Sequence, residues 1–294
     1  MEAMEADTLN ALETWITANQ IPVGPWAIWY INFIKTNAAG FFNVISDGLG
    51  FLLDNTANLM LDIPGPLLIG IFVAAVWFTR KSWKLALFVG LSLVFVMNQG
   101  YWSDTVLTLA LILYATFFCM LIGVPIGIAA AHRPWLYRIL HPALDLMQTL
   151  PTFVYLIPTL VLFGLGTVPG LISTIVFVLP TPIRLTYLGI SSVPRPLIEA
   201  GQAFGATKTQ LLLKVELRAA RPMILAGLTQ VIMLSLSMVV ITALVGAGGL
   251  GEPVVDAMET VQIGEGFTSG LAIVILAIIL DRVFRPSEDK TSQS

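Results

Sequence analysis

The chain has 294 residues, 56% of them hydrophobic and only 11% charged, with a formal net charge of −3. That balance excludes a soluble domain and points to a polytopic membrane protein, in which the sidedness of charge says more than its sum. Seven windows approach the ~20 apolar residues that cross a hydrocarbon core of ~30 Å: 64–79, 83–101, 105–131, 147–166, 168–189, 222–246 and 266–284. The fold expected is therefore an all-α membrane protein of about seven transmembrane helices.

Residues 1–62 form an arm less apolar than the rest, in which Trp15, Trp26, Trp29, Phe33, Phe41, Phe42, Phe51 and Leu52 recur among polar positions. Such a segment lies in the lipid headgroup region or binds a partner helix. Its first 20 residues are acidic and lack the basic start and apolar core of a cleavable signal peptide. A transmembrane domain is expected over 63–284, with a short tail over 285–294.

The third window opens with Ser103, Asp104 and Thr105, whose side chains are expected to cap its first N–H groups. Its second half carries Gly123 and Gly127 around Pro125, a spacing that lets two helices approach closely in lipid. Cys119, the single cysteine, reads as a small apolar filler. In the fourth window Pro151 and Pro158 free backbone carbonyls at membrane depth, which neighbours or a water-filled pathway must satisfy. Phe153 and Tyr155 offer π faces to a passing organic cation, or simply pack between helices.

The longest polar segment, 190–221, reads as two short helices. Pro194 and Pro196 start the first, which carries Leu197, Glu199, Ala200, Gly201 and Phe204 and is broken at Gly205, before Ala206. Thr207 and Gln210 form a capping-box pattern ahead of the second. An exposed Leu and Phe beside small residues make a docking surface or a helix resting on the leaflet. In the sixth window Met233, Ser237 and Met238 are candidate pathway-lining residues, with core packing the competing role for each.

With the loop after the first span placed inside, Arg80, Lys81, Lys84, Arg133, Arg138, Arg184, Arg195, Lys208, Lys214, Arg218, Arg221, Arg282, Arg285 and Lys290 all lie inside and only Lys35 outside. The positive-inside rule then makes the N-terminus external and the C-terminus cytoplasmic.

Two motifs resemble chemistry without its context. Gly246, Gly248 and Gly251 satisfy GxGxxG, but an apolar span precedes them where a dinucleotide fold needs a strand, so they mark a turn. Gly201 to Thr209 resembles a phosphate loop, yet Thr207 stands where glycine must precede Lys208. The chain is thus expected to have no nucleotide site, to be no enzyme and to bind no cofactor or metal. His132 and His141 lack a cysteine or carboxylate at ligand spacing and read as interfacial residues. No nucleic-acid signature is present.

Residues 199–217 resemble the "EAA" loop of ABC importer permeases, Glu-Ala-Ala followed by Gly and, further on, an aliphatic residue and Leu-Pro. Glu199, Ala200, Gly205, Val215 and Leu217 fit; Gly201 replaces the second alanine and Arg218 the proline. The stretches Asp145–Pro158, Phe163–Gly166, Ile183–Thr186, Ser237–Ile241, Gly248–Gly251 and Ile273–Arg282 narrow the resemblance to the ProW/OpuA type of glycine betaine and proline betaine permease. That resemblance implies a type I importer fold in a bacterial inner membrane. It further implies a homodimer, two cytoplasmic ATPases that use ATP and Mg, and an external or periplasmic binding protein delivering glycine betaine, proline betaine, choline, carnitine or trimethylamine N-oxide. The ATPase would dock at Glu199, Ala200, Gly201, Phe204, Gly205 and Ala206.

A secondary transporter driven by an ion gradient is the competing reading. Such carriers bury carboxylates or histidines at membrane depth, whereas the central parts of the seven windows hold no charged residue or histidine. Drive from outside the membrane fits better.

Overall fold

The computed structural model describes residues 14–15, 17–18 and 21–285, so most of the acidic first 20 residues and the tail beyond Arg285, Lys290 included, lie outside the described part. Among the described residues every element is helical.

Helix α1 (Val23–Leu61) runs for 39 residues with a kink at Ala38. It turns through 102° into α2 (Gly65–Arg80). The turn falls just before Pro64, where proline bars its neighbour from helical geometry. The first half of α1 exposes Trp26, Trp29 and Phe33. Its second half packs inward: Leu53 meets Ala115 and Leu171, the Thr56 hydroxyl lies 2.7 Å from that of Tyr114, and Phe42 meets Phe163 edge to face. Helix α3 (Trp83–Asn98) starts on Ser82, whose hydroxyl accepts from the Leu85 N–H, and packs Ala86, Val89 and Leu93 against Ile69 and Val76 of α2.

Helix α4 (Trp102–His132) is 31 residues long. It begins earlier than the sequence pattern suggests, so Ser103, Asp104 and Thr105 fall inside its first turn and cap nothing; the Thr105 hydroxyl donates back to the Tyr101 carbonyl. Then come α5 (Pro134–Thr149) and α6 (Thr152–Phe163), set at 97° to each other. The expected span 147–166 is therefore broken. Leu150, ahead of Pro151, is extended (ψ 137°) and ends α5 there.

After a turn in which Gly164 and Gly166 take positive φ, α7 (Thr167–Val178) and α8 (Pro180–Ser191) form one 25-residue apolar stretch. Helix α9 (Arg195–Ala203) and α10 (Lys208–Leu211) follow. A π-helical turn (Leu212–Glu216) joins α10 to α11 (Leu217–Ala243). The second loop helix is thus the foot of a continuous 36-residue helix, Lys208–Ala243, and not a separate element. Pro222 does not break it, since proline removes only one hydrogen bond and the carbonyl it frees belongs to exposed Arg218. Helices α12 (Gly251–Glu259) and α13 (Ile263–Phe284) complete the described residues.

Among the described residues, four stretches can cross a membrane by length and composition: α4, α7–α8, α10–α11 and α13; the two bent pairs raise this to six if each is one span. The expected first and second spans are helices of 16 residues each, ~24 Å at 1.5 Å per residue, so each alone falls short of a full crossing.

Helix α8 sits between α4 and α11, and glycines set the distances. A Cβ on Gly123 would lie 2.6 Å from Pro182, and one on Gly127 would lie 2.6 Å from the Thr186 Cβ and 2.7 Å from the Ile183 carbonyl oxygen. Gly189 meets Ala220 and Met223 on the other side. The glycine pair is thus a packing device, as small residues allow where lipid supplies no hydrophobic drive. Cys119 is fully buried beside Val178 and Val231.

Candidate functional site

The loop read as a docking surface is largely exposed. Pro194 and Pro196 preset the first turn of α9, and none of its residues is buried. Leu197 is half exposed and Phe204 is 93% exposed, an exposure that core packing never leaves to an aromatic ring. Gly205 has φ +76° with open space around its Cα, and its N–H donates to the Gln202 carbonyl while Ala206 N–H reaches Gly201. A left-handed residue here closes α9 and turns the chain back, as at a helix C-terminus. The next helix starts on a capping box: Thr207 Oγ1 accepts from Gln210 N–H, and the Gln210 side chain accepts from Thr207 N–H.

Gly201, the departure from the usual alanine, has a local reason. A Cβ there would lie 2.8 Å from Leu211 and 3.5 Å from Val215, so the glycine lets α9 rest on α10 and the π turn. Glu199 and Ala200 lie on the exposed side. The structure thus brings Glu199, Ala200, Phe204 and Gly205 together on one protruding turn, with Gly201 and Ala206 at its base.

The candidate pathway residues differ in exposure. Phe153 is exposed on α6, and Tyr155 faces inward, its hydroxyl donating to the Met147 carbonyl across the α5–α6 bend and its ring beside Phe177. Met233 and Ser237 share the exposed face of α11, whereas Met238 is 1% exposed and packs inside.

Polar contacts, local and long-range, join the helices at this end of the molecule. Both histidines face a carboxylate: His132 Nε2 is 2.8 Å from Glu216 Oε2, and His141 Nδ1 is 2.8 Å from Asp145 Oδ2. Asp145 also receives Arg184 from α8, and the rings of Tyr137 and Tyr187 stack beside this cluster at 3.6 Å. These pairs tie α5 to α8 and α4 to the π turn. His141 and Asp145 are four residues apart on one helix and were open to a spacing argument; His132 and Glu216, 84 residues apart, were not.

At the other end Gly246, Gly248 and Gly249 all take positive φ in the turn between α11 and α12. A side chain on Gly251 would strike the Val239 carbonyl, and Leu250 N–H donates to Thr108. The glycine motif closes the junction between α11 and α12.

Residues 123–285 match the family of binding-protein-dependent transport system inner membrane components. The chain is 43% identical over 264 residues to OpuAB, a glycine betaine transport system permease protein of Bacillus subtilis, covering 90% of this chain and 93% of that one. It is also 43% identical over 264 residues to ProW, a glycine betaine/proline betaine transport system permease protein of Escherichia coli, covering 90% and 74%. Among solved structures it resembles a chain of the inward-facing MetNI methionine ABC transporter, with a TM-score of 0.55 and 27% identity over 60% of this chain and 91% of that one.

Proposed function

The chain belongs to the family of binding-protein-dependent transport system inner membrane components, and from that membership we propose that it is the membrane-spanning permease of an ATP-driven importer for betaine-type solutes. The solute is glycine betaine, proline betaine or a related quaternary ammonium compound such as choline or carnitine, with trimethylamine N-oxide in the same chemical range. Two copies form the pathway, two cytoplasmic ATPases hydrolyse ATP with Mg, and an external binding protein delivers the solute. This chain has no nucleotide site of its own and binds no cofactor. Its N-terminal arm over 1–62 is external, the transmembrane domain covers 63–284, and loop 190–221 and the tail are cytoplasmic.

One observation carries the reading: a short helix with Phe204 almost wholly exposed, ended by left-handed Gly205 and resting through Gly201 on the foot of a membrane-length helix. An exposed aromatic on a rigid turn is the anatomy of a binding hot spot. A push on α9 passes along Lys208–Ala243 into the membrane. Phe153, Tyr155, Met233, Ser237 and Met238 keep their proposed place along the pathway; for Met238, whose side chain is buried within this chain, that requires α11 to repack when the importer opens.

The test is uptake of radiolabelled glycine betaine into proteoliposomes holding the chain, its ATPase and the binding protein. Uptake should require ATP on the ATPase side. Uptake that follows a sodium or proton gradient without ATP would replace this reading with the secondary transporter.

A further inference from the structure

His132 is the last residue of α4, and Glu216 is the last residue of the π turn. Glu216 is 6% exposed and is the only buried carboxylate among the described residues. His132 Nδ1 lies 2.9 Å from the Ile128 carbonyl, which can only accept, so Nδ1 carries a hydrogen. Nε2 and Glu216 Oε2, at 2.8 Å, then need one further proton between them. That hydrogen bond gives the buried Glu216 carboxyl the partner it needs away from water.

The position of this pair matters more than its charge. A displaced α9 presses on Leu211 and Val215, and so on α10 and the π turn. From there one route is the continuous chain into α11. The π turn is the weak point of that route, because its wider helical turn is a place where a helix changes register. The second route is the Glu216–His132 bond into α4, which grips α8 through Gly123 and Gly127.

We propose that His132 and Glu216 are positioning residues for coupling: their bond is a strut that makes α4 move with the docking loop and keeps the π turn from absorbing the push. This rests on the importer reading above. A chain with the strut cut should still bind and stimulate its ATPase, while more ATP is spent per solute moved.

The test uses the full complex in proteoliposomes and reads ATP hydrolysed per glycine betaine taken up. Glu216→Leu keeps the bulk and removes the bond, and His132→Ala cuts it from the other side at a half-exposed helix end. Each should raise the ratio at least fivefold. Glu216→Gln should keep it within twofold, since its amide can donate to Nε2 while Nδ1 stays on Ile128. An unchanged ratio in Glu216→Leu or His132→Ala, or a Glu216→Gln as uncoupled as Glu216→Leu, overturns the strut. Either cut variant decides if the other fails to assemble. Failure of both beside an assembling Glu216→Gln assigns the pair to folding alone and also overturns it. Absence of ATP-dependent uptake in the unaltered complex would instead sink the importer reading.

Discussion

At the scale of single residues, the turn at Phe204 and Gly205 separates two kinds of contribution. Phe204 touches little within its own chain, so Phe204→Ala should leave stability within ~0.5 kcal/mol. Its loss should weaken ATPase binding by about 30-fold if it is a hot spot worth ~2 kcal/mol, which a titration of ATPase against the reconstituted permease measures. Gly205 has room for a side chain but not the backbone for one; at φ +76° a residue with a Cβ carries a strain of ~1–2 kcal/mol. Gly205→Leu should insert normally, yet hydrolyse ATP with uptake reduced at least tenfold, and normal uptake would remove the turn from the coupling machinery. Gly127 is the opposite case, with ordinary helical φ and no room. Gly127→Ala should lower the thermal midpoint of the purified chain, for an overpacking cost of ~1–3 kcal/mol. Gly70→Ala, in a helix with nothing within 4 Å, should raise it slightly.

At the scale of elements, the loop's second helix teaches the most. Its capping box was readable from Thr207 and Gln210, because the motif is local and both of its hydrogen bonds span three residues. Its fusion with the sixth span was hidden, because Pro222 reads as a boundary and becomes a tolerated interior residue only where the freed carbonyl lies on an exposed turn. Thr207→Ala should cost ~0.5–2 kcal/mol of local helix stability. Hydrogen exchange at the amides of Lys208–Leu211 should speed up accordingly, with exchange in the middle of α11 unchanged. The fourth span shows the reverse: its hydropathy runs on past Pro151, whereas the helix bends at Leu150. Hydropathy counts burial and is silent about direction.

For the molecule as a whole, charge sidedness and the buried cysteine give a direct check of orientation. Cys119 is fully enclosed and should resist a membrane-impermeant thiol reagent. Trp26→Cys should then react from outside intact cells and Phe204→Cys only from inside; the reverse pattern would invert the topology proposed for 1–62 and 190–221. The sequence by itself determined the class of molecule, the exposed glycine-ended turn at Gly205 and the glycine contact face, since apolar length, a capping box, a glycine after an exposed helix and a GxxxG spacing are each encoded within a few residues. Only the tertiary structure decided which helix Gly123 and Gly127 touch, where spans bend or fuse, and that His132 meets Glu216. Those depend on segments tens of residues apart being brought within van der Waals or hydrogen-bond range, and no local pattern records which partner the packing will choose.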